Sequence, residues 1–216
     1  MSVKKNRSGK EIISETVSSR IKNPKLVRKK HLLIARKAAK LFKEKGYHQT
    51  TMRDISRATG MAMGNLYDYI SKKEDILCLV FDVYHDYAQE HIENKENFAS
   101  ANPKEELRSF IRRSLSNVQD MRDLILFMYR ESRLLPKDNL ERAMQKELAQ
   151  MQTLENIIRN GIERGVFPAM DPFFAASMIF YQSIFLTLRG WTFTGKYTEE
   201  EVKTLIEEYI LRPFSV

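Results

Sequence analysis

The chain has 216 residues, 43% of them hydrophobic, with only 8 Gly, 6 Pro and one Cys, Cys78. This suffices for a core in one or two mostly helical domains, and a single thiol excludes an intramolecular disulfide framework. The net charge of +8 is uneven: residues 1–30 hold ten Lys or Arg and two acids, residues 31–75 hold nine against five, and residues 76–216 carry −4. A basic front and a mildly acidic remainder suit a protein whose N-terminal end meets a polyanion. No apolar leader is visible, and the most apolar run, residues 173–188, is interrupted by Ser177, Gln182, Ser183 and Thr187. A cytoplasmic location with no membrane partner is therefore expected.

Residues 1–25 form a basic N-terminal extension in which Ile13, Val17 and Ile21 recur at four-residue spacing. Three readings stand side by side: a disordered tail, a helix or arm adding phosphate or minor-groove contacts, and a segment docked on the protein. Asn23-Pro24 breaks it, and residues 26–45 read as a helix with Ile34, Ala38, Leu41 and Phe42 inward, ended by Gly46. Thr50 or Thr51 is then placed as an N-cap, with Asp54 reaching back in a variant capping box. Met52, Ile55 and Ala58 give the following helix an apolar side, while Arg53, Ser56 and Arg57 stay outward. Gly60 suits a left-handed stop, and residues 62–69 begin again at a new angle, held down by Leu66 and Ile70. Helix, glycine turn, helix is the shape of a helix-turn-helix.

Residues 34–77 resemble the N-terminal DNA-binding domain of TetR-type bacterial transcriptional repressors. The resemblance is carried by Ala38, Leu41, Phe42, Gly46, Tyr47, Thr50, Thr51, Ile55, Ala58, Gly60, Gly64, Leu66, Tyr67, Tyr69, Lys73, Glu74 and Leu77. It implies that Thr51, Tyr67, Tyr69 and Lys73 touch phosphates and that Ala62, Met63 and Asn65 lie toward the major groove. Thr50, Arg53, Gly64 and Lys72 complete the candidate DNA-binding set. Many relatives carry Ser and Lys where this chain has Ala62 and Met63, and Asp68 places an acid on a surface that approaches DNA. Asn65 is then the one amide suited to an adenine edge.

Ser71 is placed to cap a helix over residues 72–93, with Glu74 and Asp75 at the positive end of its dipole and Lys73 left free for phosphate. Its two apolar stripes, through Ile76 and Val80 and through Leu77 and Phe81, mark a helix covered on both sides. A polar break at residues 94–102 separates it from further helices: one opened by Pro103, one over 121–135, one over 140–162, one over 173–191 and one over 199–211. The fold class is all-α: a three-helix DNA-binding domain, residues 26–77, and a larger helical ligand-binding and dimerisation domain, residues 78–216. The 173–191 helix is apolar on nearly every face and must be covered all round. Paired terminal helices, which the resemblance implies, make the protein a homodimer on a palindromic double-stranded operator.

Phe110, Leu115, Met121, Phe127, Met128, Met151, Met178, Tyr181 and Phe185 are the candidate lining of a pocket for a hydrophobic effector, because Met and Phe adapt to a flexible apolar ligand. Tyr129-Arg130-Glu131-Ser132-Arg133, residues 161–167 and Arg189-Gly190-Trp191 resemble the C-terminal domain of the FadR-type, acyl-CoA-responsive branch. That implies an acyl-CoA effector whose phosphates meet Arg112, Arg113, Arg130 or Arg133. No cofactor, metal site or catalytic constellation is expected. The alternative to a ligand-responsive repressor is an architectural or membrane-surface protein working through its basic N-terminus alone.

Overall fold

A computed structural model of the chain describes residues 17–93 and 102–214, and among them there are nine α-helices, short 3-10 turns and no strand. Two compact units divide the chain: Met1–Asp86 with Phe127–Leu140, and Tyr87–Leu126 with Glu141–Val216. The all-α expectation holds. The first unit runs past residue 77 and takes back a later stretch, which no change of composition along the chain announces.

In the first unit, α1 (Pro24–Lys45) begins where the Asn23 side chain accepts the Leu26 N–H and Pro24 supplies a ready φ at the first turn. So Asn23-Pro24, read as a break, is a cap. Val27, His31, Ile34, Ala35, Ala38 and Phe42 form its buried stripe, and Lys43 and Lys45 sit at the negative end of the dipole. α1 packs on α2 (Met52–Thr59), and α2 on α3 (Met63–Tyr67). Ile34, Ile55 and Leu66 are wholly buried, and Phe42 stacks on Phe127 with ring centroids 4.8 Å apart. The first part of α4 (Lys73–Glu93) buries Ile76, Leu77, Leu79, Val80, Phe81 and Tyr84, as its two stripes require. Ser71 does not cap it through its side chain. Asp75 does so from inside the first turn, accepting the Ser71 and Lys72 N–H groups at 2.9 and 3.0 Å.

The second unit holds α5 (Pro103–Asp120), most of α7 (Lys137–Glu163), α8 (Pro172–Arg189) and α9 (Glu199–Leu211), with α6 (Arg122–Glu131) starting in it. Its core joins Leu107, Ile111, Leu154, Ile158, Ile179 and Ile210. α5 packs against both α8 and α9. After α7 the chain reverses tightly: the Val166 and Phe167 N–H groups both donate to the Gly161 carbonyl, at 2.9 and 3.1 Å. Gly161 is obligatory there, because a Cβ would run into the Phe167 ring. Arg108 and Arg112 reach Glu207 at 3.5 and 2.8 Å, a solvent-exposed link between α5 and α9.

Helix 173–191 is not covered all round by its own chain: α8 leaves Phe173, Phe174, Met178, Tyr181 and Phe185 at the surface. Val17 and Ile21 belong to an irregular stretch, not a helix; Ile13 and the residues of the polar break before Asn102 lie outside the described residues. No helix among the described residues is long and apolar enough to cross a membrane.

Candidate nucleic-acid interface

The interface starts from a cap. Thr51 is the N-cap of α2: its hydroxyl accepts the Asp54 N–H at 3.2 Å, while its own N–H and hydroxyl donate to the Asp54 carboxylate at 2.9 and 2.7 Å. The Thr51 hydroxyl and N–H, with the Lys45 ammonium at 3.2 Å, hold that carboxyl well below the usual carboxylate range. Asp54 thus stays ionised, with the Lys45 ammonium balancing its charge on a surface expected to face DNA. Thr50, the other candidate cap, is buried and donates its hydroxyl to the Gly46 carbonyl at 2.8 Å. It builds the turn and offers DNA nothing.

Gly60 ends α2 at φ 66°, a left-handed geometry that costs a glycine little, and lets α3 leave in a new direction. α3 is shorter than expected, five residues in place of eight. Ala62 at its N-cap has no polar side-chain atom to bond, and the helix gives way to a turn over Asp68 and Tyr69. Leu66 anchors it, with Ala62, Gly64, Asn65 and Tyr67 exposed and Met63 half-buried. Tyr69, expected beside a phosphate, is 3% exposed and sets its ring edge-on against His31, whose Nε2 lies 2.9 Å from the Tyr69 carbonyl. Burial holds the His31 imidazole below its ordinary pKa of 6.5, against the opposing pull of that carbonyl and of Asp82.

Lys73, expected from sequence to be left free for phosphate, is instead engaged. Its ammonium donates to the His48 carbonyl at 3.2 Å and lies 4.4 Å from the centre of the Tyr47 ring. Partial burial lowers its pKa, with Glu74 acting the other way. The Tyr47 phenol beneath it is pushed up to about 12, first by burial and then by the charge of Glu74. Thr51, Arg53, Ala62, Gly64, Asn65, Tyr67 and Lys72 therefore remain as exposed candidates on consecutive elements, and Thr50, Tyr69 and Lys73 hold those elements in place.

The effector candidates divide between the two units. Phe110 and Leu115 are core residues of the second unit, Met121 and Met151 are buried in it, and Arg113 is half-buried on α5. Phe127, Met128 and Arg130 belong to the first unit, Phe127 against Phe42 and Arg130 exposed near Glu131. Met178, Tyr181 and Phe185 are on the exposed side of α8. The second unit does contain a cleft of about 380 Å³, bordered by Leu115, Val118, Arg122, Leu186, Trp191 and Lys203 among others. Of the expected lining, Leu115 alone borders it.

The profile described as bacterial regulatory proteins, tetR family, matches residues 34–78, and that of the tetracyclin repressor-like C-terminal domain matches residues 100–214. The second match alone spans more than half of the chain. This chain belongs to the TetR family. Among TetR-type relatives, the HTH-type transcriptional regulator HbdR of Aromatoleum sp. (strain CIB) is 28% identical, over 91% of this chain and 88% of its own. The fatty acid metabolism regulator protein of Bacillus subtilis (strain 168) is 30% identical over 71% and 79%. In fold, the chain is similar to AibR, solved in complex with isovaleryl coenzyme A and operator DNA: TM-score 0.68, 21% identity, 83% of this chain and 96% of that one.

In this TetR-type regulator, the residues that act through the backbone are not legible in the sequence. The bond from Lys73 to a carbonyl and the burial of Tyr69 leave no mark in residue type. Trp191 on the cleft had a signal, since it lies in a segment that resembled an acyl-CoA-responsive branch. What was missing was any sign that Arg122, one residue into α6, shares a cleft with it.

Proposed function

We propose that this TetR-type transcriptional regulator is a homodimeric repressor of a palindromic operator, released by a hydrophobic effector of the acyl-CoA class. In this reading residues 26–77 bind DNA, and residues 78–216 bind effector and form the dimer. The observation that carries the DNA half is the pinned pair α2–α3: caps and buried anchors hold Thr51, Arg53, Asn65, Tyr67 and Lys72 outward on a surface where Lys45 balances the charge of Asp54. The uncovered apolar side of α8 supports a two-fold seam between copies.

The effector class is supported by the relative named for fatty acid metabolism and by the coenzyme A thioester held by AibR. The cleft of the second unit suits such a molecule, with Leu115, Val118 and Leu186 for an apolar part and Arg122 for an anionic one. A ligand lowers DNA affinity only as far as it binds the released state better than the DNA-bound one. The test is titration of fatty-acyl-CoA into a complex of the full chain with its own labelled upstream DNA, alongside native mass spectrometry. Acyl-CoA should bind and weaken the complex. Tight DNA binding that acyl-CoA leaves unchanged removes the effector assignment alone, and a chain that binds no DNA at low salt removes the operator reading.

A further inference from the structure

We infer that residues 17–23, the strap ahead of α1, are a second DNA-contacting element, which holds Arg20 and Lys22 against backbone phosphates beside the recognition helix. The inference rests on the DNA-binding role of the helix-turn-helix. Irregular chain at the edge of a domain is ordinarily tethered weakly. This stretch is tied at several points: Val17 is 2% exposed, the Ser19 hydroxyl and the Arg20 N–H both donate to the Asp68 carbonyl, at 2.9 and 2.8 Å, and the Ile21 N–H donates to the Ser19 hydroxyl at 3.1 Å. The acceptor matters. Asp68 is the C-cap of α3, so the strap satisfies a carbonyl that the end of that helix leaves over, next to exposed Tyr67.

A latch on that carbonyl needs only a hydroxyl and a backbone N–H, and any residue but proline supplies the second. The latch therefore does not account for the charge that comes with it. Arg20, Lys22, Lys25 and Lys29 are all exposed, and residues 17–30 contain six basic residues and no acid. The recognition helix beside the strap has few donors: of its exposed residues Asn65 carries an amide and Tyr67 a phenol, Ala62 and Gly64 have no polar side-chain atoms, and half-buried Asp68 is acidic. An interface with so few groups to read bases depends more heavily on phosphate contacts, which position without reading. The bonds to Asp68 place two cations where that contribution is needed.

Such contacts leave a specific trace. Each phosphate neutralised adds about 0.9 to the slope of log affinity against log salt, with no preference for sequence. The full-length Arg20→Ala/Lys22→Ala variant is compared with wild type by fluorescence anisotropy, on upstream DNA and on a scrambled duplex of equal length, across a KCl series. The expected result is a slope shallower by about 2 per protomer, with the same fold-loss of affinity on both duplexes. Arg20→Lys/Lys22→Arg should keep the wild-type slope. Ser19→Ala, which removes one bond to Asp68 but no charge, should also keep it. An unchanged slope in the alanine variant overturns the inference and leaves the strap as a latch; so does a loss confined to the specific duplex. If wild type binds neither duplex, the DNA-binding reading fails first, and the inference falls with it.

Discussion

The helix-turn-helix and α8 use their apolar side chains in opposite ways. α2 and α3 place Ile55 and Leu66 wholly inside and show solvent small or polar groups. α8 buries Ala176, Ile179 and Ile184 on one side, yet leaves Phe174 65% and Tyr181 52% exposed on the other. A short helix with one apolar stripe is satisfied by its own unit, whereas a helix apolar on both sides is satisfied by one neighbour and requires a second. In the proposed reading, one surface meets a hydrated polyanion and the other loses its water to a like surface.

The largest effect should come from breaking the second half of that contrast. Phe174→Ser/Tyr181→Ser should leave helicity unchanged by circular dichroism but weaken self-association in sedimentation. Two-fold symmetry counts each substitution twice, so at least about 4 kcal/mol, roughly a thousandfold in dissociation constant, is expected. A dimer as tight as wild type would place the seam elsewhere.

A smaller effect sharpens the comparison between the units, because both contain the same device. Thr51 with Asp54 and Thr198 with Glu201 are full capping boxes. Thr51→Ala and Thr198→Ala should each cost about 1 kcal/mol in urea denaturation, but only Thr51→Ala should reduce DNA affinity beyond that of a control of equal stability. Equal losses of affinity would mean that Thr51 acts through stability alone.

The smallest effect is absent at neutral pH. The folded pKa of His31 lies below 6.5, so as pH falls the unfolded chain takes up its proton first. Stability from the neutral ring is fully present above 6.5 and is lost as pH drops toward the folded value. His31→Gln, which can still donate to the Tyr69 carbonyl, should show a shallower fall of melting temperature on acidification than wild type. Parallel curves would show that His31 does not titrate in that window.

Legibility followed the range of the interactions. The Thr51–Asp54 box, the left-handed Gly60 and the anchors Leu66 and Ile70 were readable because each depends on residues within a turn or two of chain. α3 read too long because its end involves the burial of Tyr69 and the strap on Asp68, 49 positions from Ser19. The effector residues were least legible. A Met or Phe at helical spacing is apolar on any face, so Met151 in the interior and Met178 on the surface look alike until neighbours are known.

The sequence by itself determined the all-α class, the helix-turn-helix and its caps, and the basic front end, since helical period, capping chemistry and charge are properties of neighbouring residues. Tertiary structure alone decided that Phe127–Leu140 belongs with the first unit, that Lys73 is tied to His48, that α8 has an uncovered side, and that the strap meets Asp68. Each of these joins residues far apart in the chain, and composition contains no record of which distant groups a backbone carbonyl or a buried ring will meet.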